Sequence, residues 1–449
     1  MAPLSCAPSL HYIKANQEKL AVLTAIKKTP SFPSSTDIKT LEMASEATTM
    51  MKPSFDINKL SYQIFSILES KFLFGFDDPN LLATGNPLEA PVKPAARFPK
   101  PSSAGKVRIL SIDAGNAVIA AVALARLEAS LAEQCGDSTA RIADFFDLAA
   151  GSGAGGVLAA MLFTCAPDGR PLFSADEALR VVSKNQRKFS SAIRKTIFCR
   201  SSGIYHRIFG ESTLRDTIKP VLIPCYDLAT GAPFVFSRAD AVEADAFDFS
   251  IRDVCAATCT EKKTVEILSV DGQSRIRAIG GSIAMRNPTA TAITHVLNNK
   301  LEFPLANNVE DLLVVSLGSS NSSPTELFNI AGENAAEMVD QAVAMAFRQN
   351  GPMATSYVRI QATFLGSRGM SPAAAEKEIL SQRSVDSMLF RGRKVSDRTN
   401  GERLEWFCRE LIAEHNRRKG CSVSTVMIKP TVTPRISTAT APAPAVASL

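Results

Sequence analysis

The sequence predicts an α/β protein. Three observations carry that expectation. Val107, Ile109, Leu110 and Ile112, in VRILSIDAG, form the near-continuous apolar run of a strand buried on both faces. The stretch Ile142–Leu162, IADFFDLAAGSGAGGVLAAML, then reads as a short strand, a glycine-dense turn and a small-residue helix. Two strand-turn-helix units in succession imply a parallel sheet with right-handed crossovers.

The elements follow in order. Residues 1–55 are rich in Ser, Thr, Ala and Lys without a sustained period. They read as a disordered extension, or as sequence preceding a translation start at Met43, Met50 or Met51. Residues 56–86 open with a helical pattern, Leu60, Ile64, Ile67, Leu68 and Phe72, with Asp56 as N-cap and Gly75 as stop. This amphipathic helix is expected to pack on a partner domain, with membrane docking as the alternative. Residues 87–104 hold Pro87, Pro91, Pro94, Pro99 and Pro101 and read as an extended linker.

The main domain is expected over 105–320. After β-strand Val107–Ile112 comes a helix, Ala117–Leu131, and then the glycine-dense unit. Val181–Arg200 is the most basic stretch, with Lys184, Arg187, Lys188, Arg194, Lys195 and Arg200. A solvated helical face is its default reading, and attraction to lipid headgroups the functional one. Pro220–Leu228 and Pro233–Asp240 read as strands around Ala229-Thr230-Gly231. Glu266–Gly281 reads as a hairpin turning at Asp271-Gly272. Asn287-Pro288-Thr289 opens a helix through His295, and Asp311–Ser320 is a further apolar strand. Residues 321–428 are expected to be a helical C-terminal region, with helices near Ala335–Arg348 and Arg403–Arg418. Residues 429–449 read as a low-complexity tail.

Composition narrows the function classes. The chain has 449 residues, 45% hydrophobic and 21% charged, as ordinary globular proteins have. One Trp and five Tyr give little for base stacking, and a net charge of +6 is too small and too scattered to indicate nucleic acid. It suits an anionic membrane surface. Nine widely spaced cysteines and four histidines do not compose a zinc site, and reduced thiols in the cytosol are expected. No apolar run approaches a membrane span; the most apolar, Ala117–Leu127, is short and contains Arg126.

The turn Gly151-Ser152-Gly153-Ala154-Gly155-Gly156 is the candidate site. Such a turn presents a nucleophile at its tip, as in G-x-S-x-G elbows, or cradles an anion on a helix N-terminus. Its G-x-G-x-x-G spacing also matches a dinucleotide fingerprint, but Asp168 stands too early to serve as the ribose partner.

VRILSIDAG, DLAAGSGAGG, LIPCYDL with PFVFSRAD, GGSIAMRNPTA and DLLVVSLGSS, in this order, resemble the patatin-like lipid acyl hydrolases of plants. The likeness is closest to the subgroup with glycine in place of the elbow serine and covers roughly residues 56–420. It implies a three-layer α/β/α sandwich with helical N- and C-terminal extensions. It also implies an acyl-ester hydrolase of the phospholipase A type, with a Ser–Asp dyad and no metal or cofactor. Membrane lipids, phospholipid or galactolipid, are the implied partners, reached from the cytoplasm by peripheral contact. The Lys184–Arg200 helix is a candidate for that contact.

Three family motifs are altered. The oxyanion loop D-G-G-G-x-[KR]-G becomes Asp113-Ala114-Gly115-Asn116-Ala117-Val118-Ile119, where only Asp113 and Gly115 match. Loss of one oxyanion donor typically costs about a hundred- to a thousandfold in rate. The elbow becomes Gly151-Ser152-Gly153-Ala154-Gly155, with Gly153 at the nucleophile position. The D-G-[GA] base motif aligns on Ile279, Gly280 and Gly281, with Ile279 at the base position. Losing a whole nucleophile–base unit costs on the order of a millionfold. The expected protein is therefore a catalytically inactive homologue. The alternative is a non-specific lipid acyl hydrolase working through other residues, of which an improvised Ser152–Asp271 dyad is the candidate. His295 reads as a satisfied, partly buried histidine and Cys165 as a core thiol.

Overall fold

The structure is a computed structural model that describes residues 105–189, 202–260, 263–319, 327–348, 356–363, 372–388, 392–421 and 424–429. All lie in one compact unit, Ala96–Leu449. The expectations for 1–104 and for the tail beyond Lys429 lie outside the described residues.

The elements in chain order are β1 (Val107–Ile112), α1 (Ala117–Cys135), α2 (Ile142–Phe145), β2 (Leu148–Gly151), α3 (Ala154–Phe163), α4 (Ala175–Phe189) and α5 (Ser202–Phe209). Then come β3 (Val221–Asp227), β4 (Ala232–Ser237), α6 (Arg238–Glu243), α7 (Ile251–Cys259), β5 (Val265–Leu268), β6 (Arg275–Ile279), α8 (Gly281–Ala284) and α9 (Thr289–Asn298). The chain continues through β7 (Leu312–Ser319), α10 (Leu327–Arg348), β8 (Tyr357–Ala362), α11 (Pro372–Ser381), β9 (Arg383–Met388), β10 (Gly392–Thr399) and α12 (Asn400–Lys419).

Eight strands make one sheet in the order β5-β6-β3-β2-β1-β7-β8, with β4 paired to β3. The centre is parallel: β1 lies between β2 and β7. The β3–β4, β3–β6 and β5–β6 pairs are antiparallel. Every residue of β1 is buried, and alternate residues serve opposite layers. Leu110 and Ile112 join Leu124, Leu127 and Phe163 from α1 and α3, together with Phe407 and Leu411 from α12. Val107 and Ile109 join Ala292, Ile293 and Val296 from α9, together with Val343 and Phe347 from α10. Two cores, one on each face of one sheet, make the three-layer α/β/α architecture.

The Glu266–Gly281 hairpin forms as expected, with Gly272 at φ +73 in its turn. Two stretches differ from the sequence reading. The strand expected to run to Asp240 stops at Ser237, whose hydroxyl accepts the Ala239 N–H and starts α6. The stretch expected to be helical after residue 320 also holds three strands: β8 extends the main sheet alongside β7, and β9 and β10 pair with each other. The basic stretch begins inside α4, where Lys184 is exposed; its side chains from residue 186 to 201 lie outside the described residues.

Charged groups pin the N-terminal end of β1. Asp147 accepts from the Arg108 guanidinium at 3.2 Å and from Arg418 of α12 at 2.8 Å, with Asp147 2% exposed and Arg108 5%. The Arg108 backbone N–H donates to the same carboxylate at 2.8 Å. Burial pushes the Asp147 carboxyl up, but the two guanidinium groups hold it below its ordinary value. A carboxyl with a depressed folded pKa stabilises the fold above its unfolded value of 3.8, and that contribution is lost as pH falls through the folded value. Asp147→Ala leaves two buried cations uncompensated and is expected to cost about 3–5 kcal/mol in urea unfolding at neutral pH. The gap between variant and parent should narrow as the titration is repeated below pH 4.

Candidate active site

β1 and β2 end side by side, with Ile112 opposite Gly151. The candidate oxyanion loop and the elbow therefore leave adjacent parallel strands at the same edge. α1 and α3, which follow these strands, pack in the same core, and the carboxyl ends of the strands are where ligands of open α/β sheets bind.

Two helix–strand approaches shape the elbow. A Cβ on Gly155 would lie 2.6 Å from the Ile112 carbonyl oxygen and 2.7 Å from that of Asp113. Only a residue without a side chain lets α3 pass so close. Gly153 sits at φ +53, ψ −127, a conformation that side chains rarely adopt. Its N–H donates to Thr258 Oγ1 at 2.9 Å, and Ser152 N–H donates to the Ile112 carbonyl at 3.0 Å. Gly155 N–H and Gly156 N–H close the first helical turn on the Ser152 and Gly153 carbonyls. The Ala154 N–H, first of α3, enters no hydrogen bond among the described residues. The strained joint of a nucleophile elbow is thus present, and its tip carries no side chain.

The loop after β1 has changed more. Asp113 is buried, and Arg359 of β8 donates to one of its oxygens at 2.6 Å and to Ser316 Oγ at 2.6 Å. Burial pushes the Asp113 carboxyl above its ordinary value, while Arg359 pulls it back. Ala114 N–H donates to the Arg286 carbonyl at 2.8 Å. Asn116 is the N-cap of α1: its side-chain oxygen accepts the Val118 N–H at 3.1 Å. Val118 and Ile119, where the family carries a basic residue and a glycine, are helical core residues at 5% and 2% exposure. Residues 117–119 of the motif form the first turn of α1.

The base motif also lies against the elbow. A Cβ on Gly281 would meet Thr258 Oγ1 at 2.4 Å and Ser152 Oγ at 2.8 Å. A Cβ on Gly280 would lie 3.4 Å from the Thr258 carbonyl oxygen, and one on Gly153 3.9 Å from the same atom. The side-chain directions at 153 and 280 therefore converge. Ile279 is the half-buried last residue of β6, paired with Tyr226, on the pleat shared with exposed Arg277. Gly280, one residue beyond the sequence alignment, is a second candidate for the base position, though a Cβ there would first meet the Thr260 carbonyl oxygen.

The rival residues are not assembled. Ser152 is 0% exposed and its Oγ has no hydrogen-bond partner. Asp271 is exposed at the hairpin turn, where it accepts from Ser269 Oγ at 2.6 Å. His295 stacks edge-on to Phe303, and burial lowers its pKa to about 4, so it is neutral. Cys165 lies half-buried in a bridge to Pro171, its thiol pushed up by burial. Among the described residues no group of His, Cys, Asp and Glu could hold a metal ion. Sequence reasoning missed Thr258, which fixes the Gly153 N–H, and Arg359, which holds Asp113. A lone arginine inside the apolar strand YVRIQA was a readable signal for the second; nothing marked the first.

Patatin-like protein 3 of Oryza sativa subsp. indica is 47% identical over 390 residues, covering 81% of this chain and 92% of that protein. The chain belongs to the patatin-like protein family. Patatin-like protein 7 of Arabidopsis thaliana is 42% identical, covering 86% of this chain and 87% of its own length. Another member from Arabidopsis thaliana, named Probable inactive patatin-like protein 9, is 38% identical over 80% of this chain and 93% of its own. No family model matches the chain. The crystal structure of VipD from Legionella pneumophila aligns over 68% of this chain at 9% identity with a TM-score of 0.36, a likeness too slight to inform the site. The patatin-like family is one of lipid acyl hydrolases. No helix among the described residues is long and apolar enough to cross a membrane.

Two substitutions separate backbone strain from packing. Gly153→Ser forces a side chain into φ +53 with its Cβ 3.3 Å from that of Ala114, and should lower stability by about 1–3 kcal/mol. Gly155→Ala sets a methyl group against two backbone carbonyls that cannot rotate away, and should cost more. Urea unfolding of both variants checks the order.

Proposed function

We propose that this chain is a patatin-like lipid acyl hydrolase homologue that does not hydrolyse, and that it retains the sheet edge and elbow as a frame for binding lipid. The observation that carries this reading is Gly153 in the elbow conformation with no side chain at the tip. An acyl-enzyme needs a nucleophilic atom there, and a general base to take its proton. Neither Ile279 nor Gly280, the two candidates for the base position, has a group that accepts a proton. The loop supports the same reading: Asn116 caps a helix and Ala114 N–H is held by the Arg286 carbonyl, so the backbone donors of an oxyanion site are reduced together with the dyad.

A second reading, hydrolysis through non-standard residues, draws on the unengaged Ala154 N–H at the start of α3, which keeps one anion-stabilising donor in place. Ser152 is the hydroxyl nearest the tip in sequence. Its complete burial and lack of a base weigh against it.

The purified chain, offered phosphatidylcholine and a galactolipid, is expected to release no fatty acid above a buffer blank. Robust turnover that disappears in Ser152→Ala would overturn the inactive reading. Lys184, Arg187 and Lys188 carry the proposed peripheral membrane contact of the basic helix; their charge reversal should reduce pelleting with anionic vesicles, and unchanged pelleting removes that role.

A further inference from the structure

The β5–β6 hairpin projects beyond the sheet edge that carries the elbow. β3 runs parallel to β2, so its last residue, Asp227, lies at that edge. Asp227 pairs with Ala278 in antiparallel register, so Arg277, Arg275 and Leu268, the partner of Arg275, stand farther out. One face of the hairpin, Ile267, Ile276 and Ala278, is buried in the core. The other carries Glu266, Leu268, Arg275 and Arg277, all exposed.

The exposed residues are unusual for a soluble surface. Leu268 is 46% exposed, Val270 62%, Leu228 41% and Phe247 36%. They are neighbours rather than scattered. Leu228 N–H donates to the Arg277 carbonyl at 2.9 Å, and Val270 N–H donates to the Asp248 carbonyl, next to Phe247, at 2.8 Å. Grouped apolar exposure of this kind marks an interaction surface. The nearby charges sort by partner. Glu266 is taken by Arg275 at 2.7 Å, and Asp245 and Asp248 face Arg215. Asp271 accepts from Ser269 Oγ at the turn. The Arg277 guanidinium makes no ion pair among the described residues. An unpaired arginine at the base of a cluster of large apolar tips meets a lipid phosphate while the tips enter the acyl boundary.

We propose that this hairpin, with Leu228 and Phe247 beside it, is the surface by which the chain seats on an anionic lipid bilayer, turning the elbow edge toward the membrane. This rests on the lipid reading of the elbow, and its test does not use hydrolysis. A second copy of the chain is the less suitable occupant, because a two-fold contact sets the same patch against itself and brings like charges together.

The full-length chain is floated with vesicles of phosphatidylcholine alone and of phosphatidylcholine with phosphatidic acid. Binding is expected to the anionic vesicles. Leu268→Glu with Val270→Glu should weaken it about a hundredfold, the loss expected when two apolar side chains no longer leave water. Arg277→Glu should weaken it about tenfold, and only on the anionic vesicles. Both positions of the double variant are exposed, so its thermal unfolding should match the parent; Val270→Ser replaces it should it fail to fold, with a smaller loss expected. Unchanged flotation of the well-folded variant, or no flotation of the parent, overturns the proposal. So does a dimer, measured by light scattering, that the same substitutions dissolve. A chain that floats through this hairpin but releases no fatty acid upholds both readings. One that releases no fatty acid but floats equally well with the hairpin altered loses only the docking surface.

Discussion

Gly155 lies against the carbonyl oxygens of Ile112 and Asp113, and the rest of the site depends on that approach. Because α3 can pass this close to β1, the elbow turns within two residues of its strand. Gly153, the Asp113 loop and the Gly280–Gly281 corner are thereby brought to one place. A methyl group at position 155 would push the helix outward and separate these three features at once. The contact that shapes the turn is thus also a packing requirement. It persists here for structural reasons whatever has become of the chemistry.

β1 is held at both ends by charge. At its start Arg108 meets Asp147 and, through it, Arg418 of the last helix. At its end Asp113 meets Arg359, which also donates to Ser316 of β7. Thr289 Oγ1 bonds Ser111 Oγ at 2.8 Å and lies 3.0 Å from Ser316 Oγ, so this polar set crosses three elements. Each pair is buried, and breaking either would leave an unbalanced charge in a dry interior. Arg359 is a structural partner that accounts for the buried Asp113 without reference to catalysis.

Much of this was legible in the residues. The apolar runs at Val107–Ile112 and Leu312–Ser319 are read as buried strands because both faces are covered. Asp271-Gly272 located its hairpin through turn chemistry alone. What was not legible depended on contacts distant in sequence. The strands Arg383–Met388 and Gly392–Thr399 carry charged and polar residues and pair with each other, so no apolar run announced them. The loop Asp113–Ile119 was recognised as altered and its last three residues as the start of a helix, but the ties of Asp113 to Arg359 and of the Ala114 N–H to the Arg286 carbonyl, 246 and 172 residues on, were not. The base position fell on Ile279 by motif spacing, and the structure adds Gly280 beside it as a candidate that spacing did not suggest.

Asn116 carries a consequence for any attempt to install a nucleophile here. It caps α1, so residues 117–119 are held as ordinary helix. Glycine adopts the φ +53 conformation at the tip of the turn, where a serine would be strained. A side chain at 153, a carboxylate at 280 crowded by the Thr260 carbonyl and an unwound turn at 116 would each cost stability. Engineering a reactive group, a proton acceptor and a donor loop into this chain is therefore uphill at every step, and each gain in chemistry would have to be matched by stabilisation elsewhere.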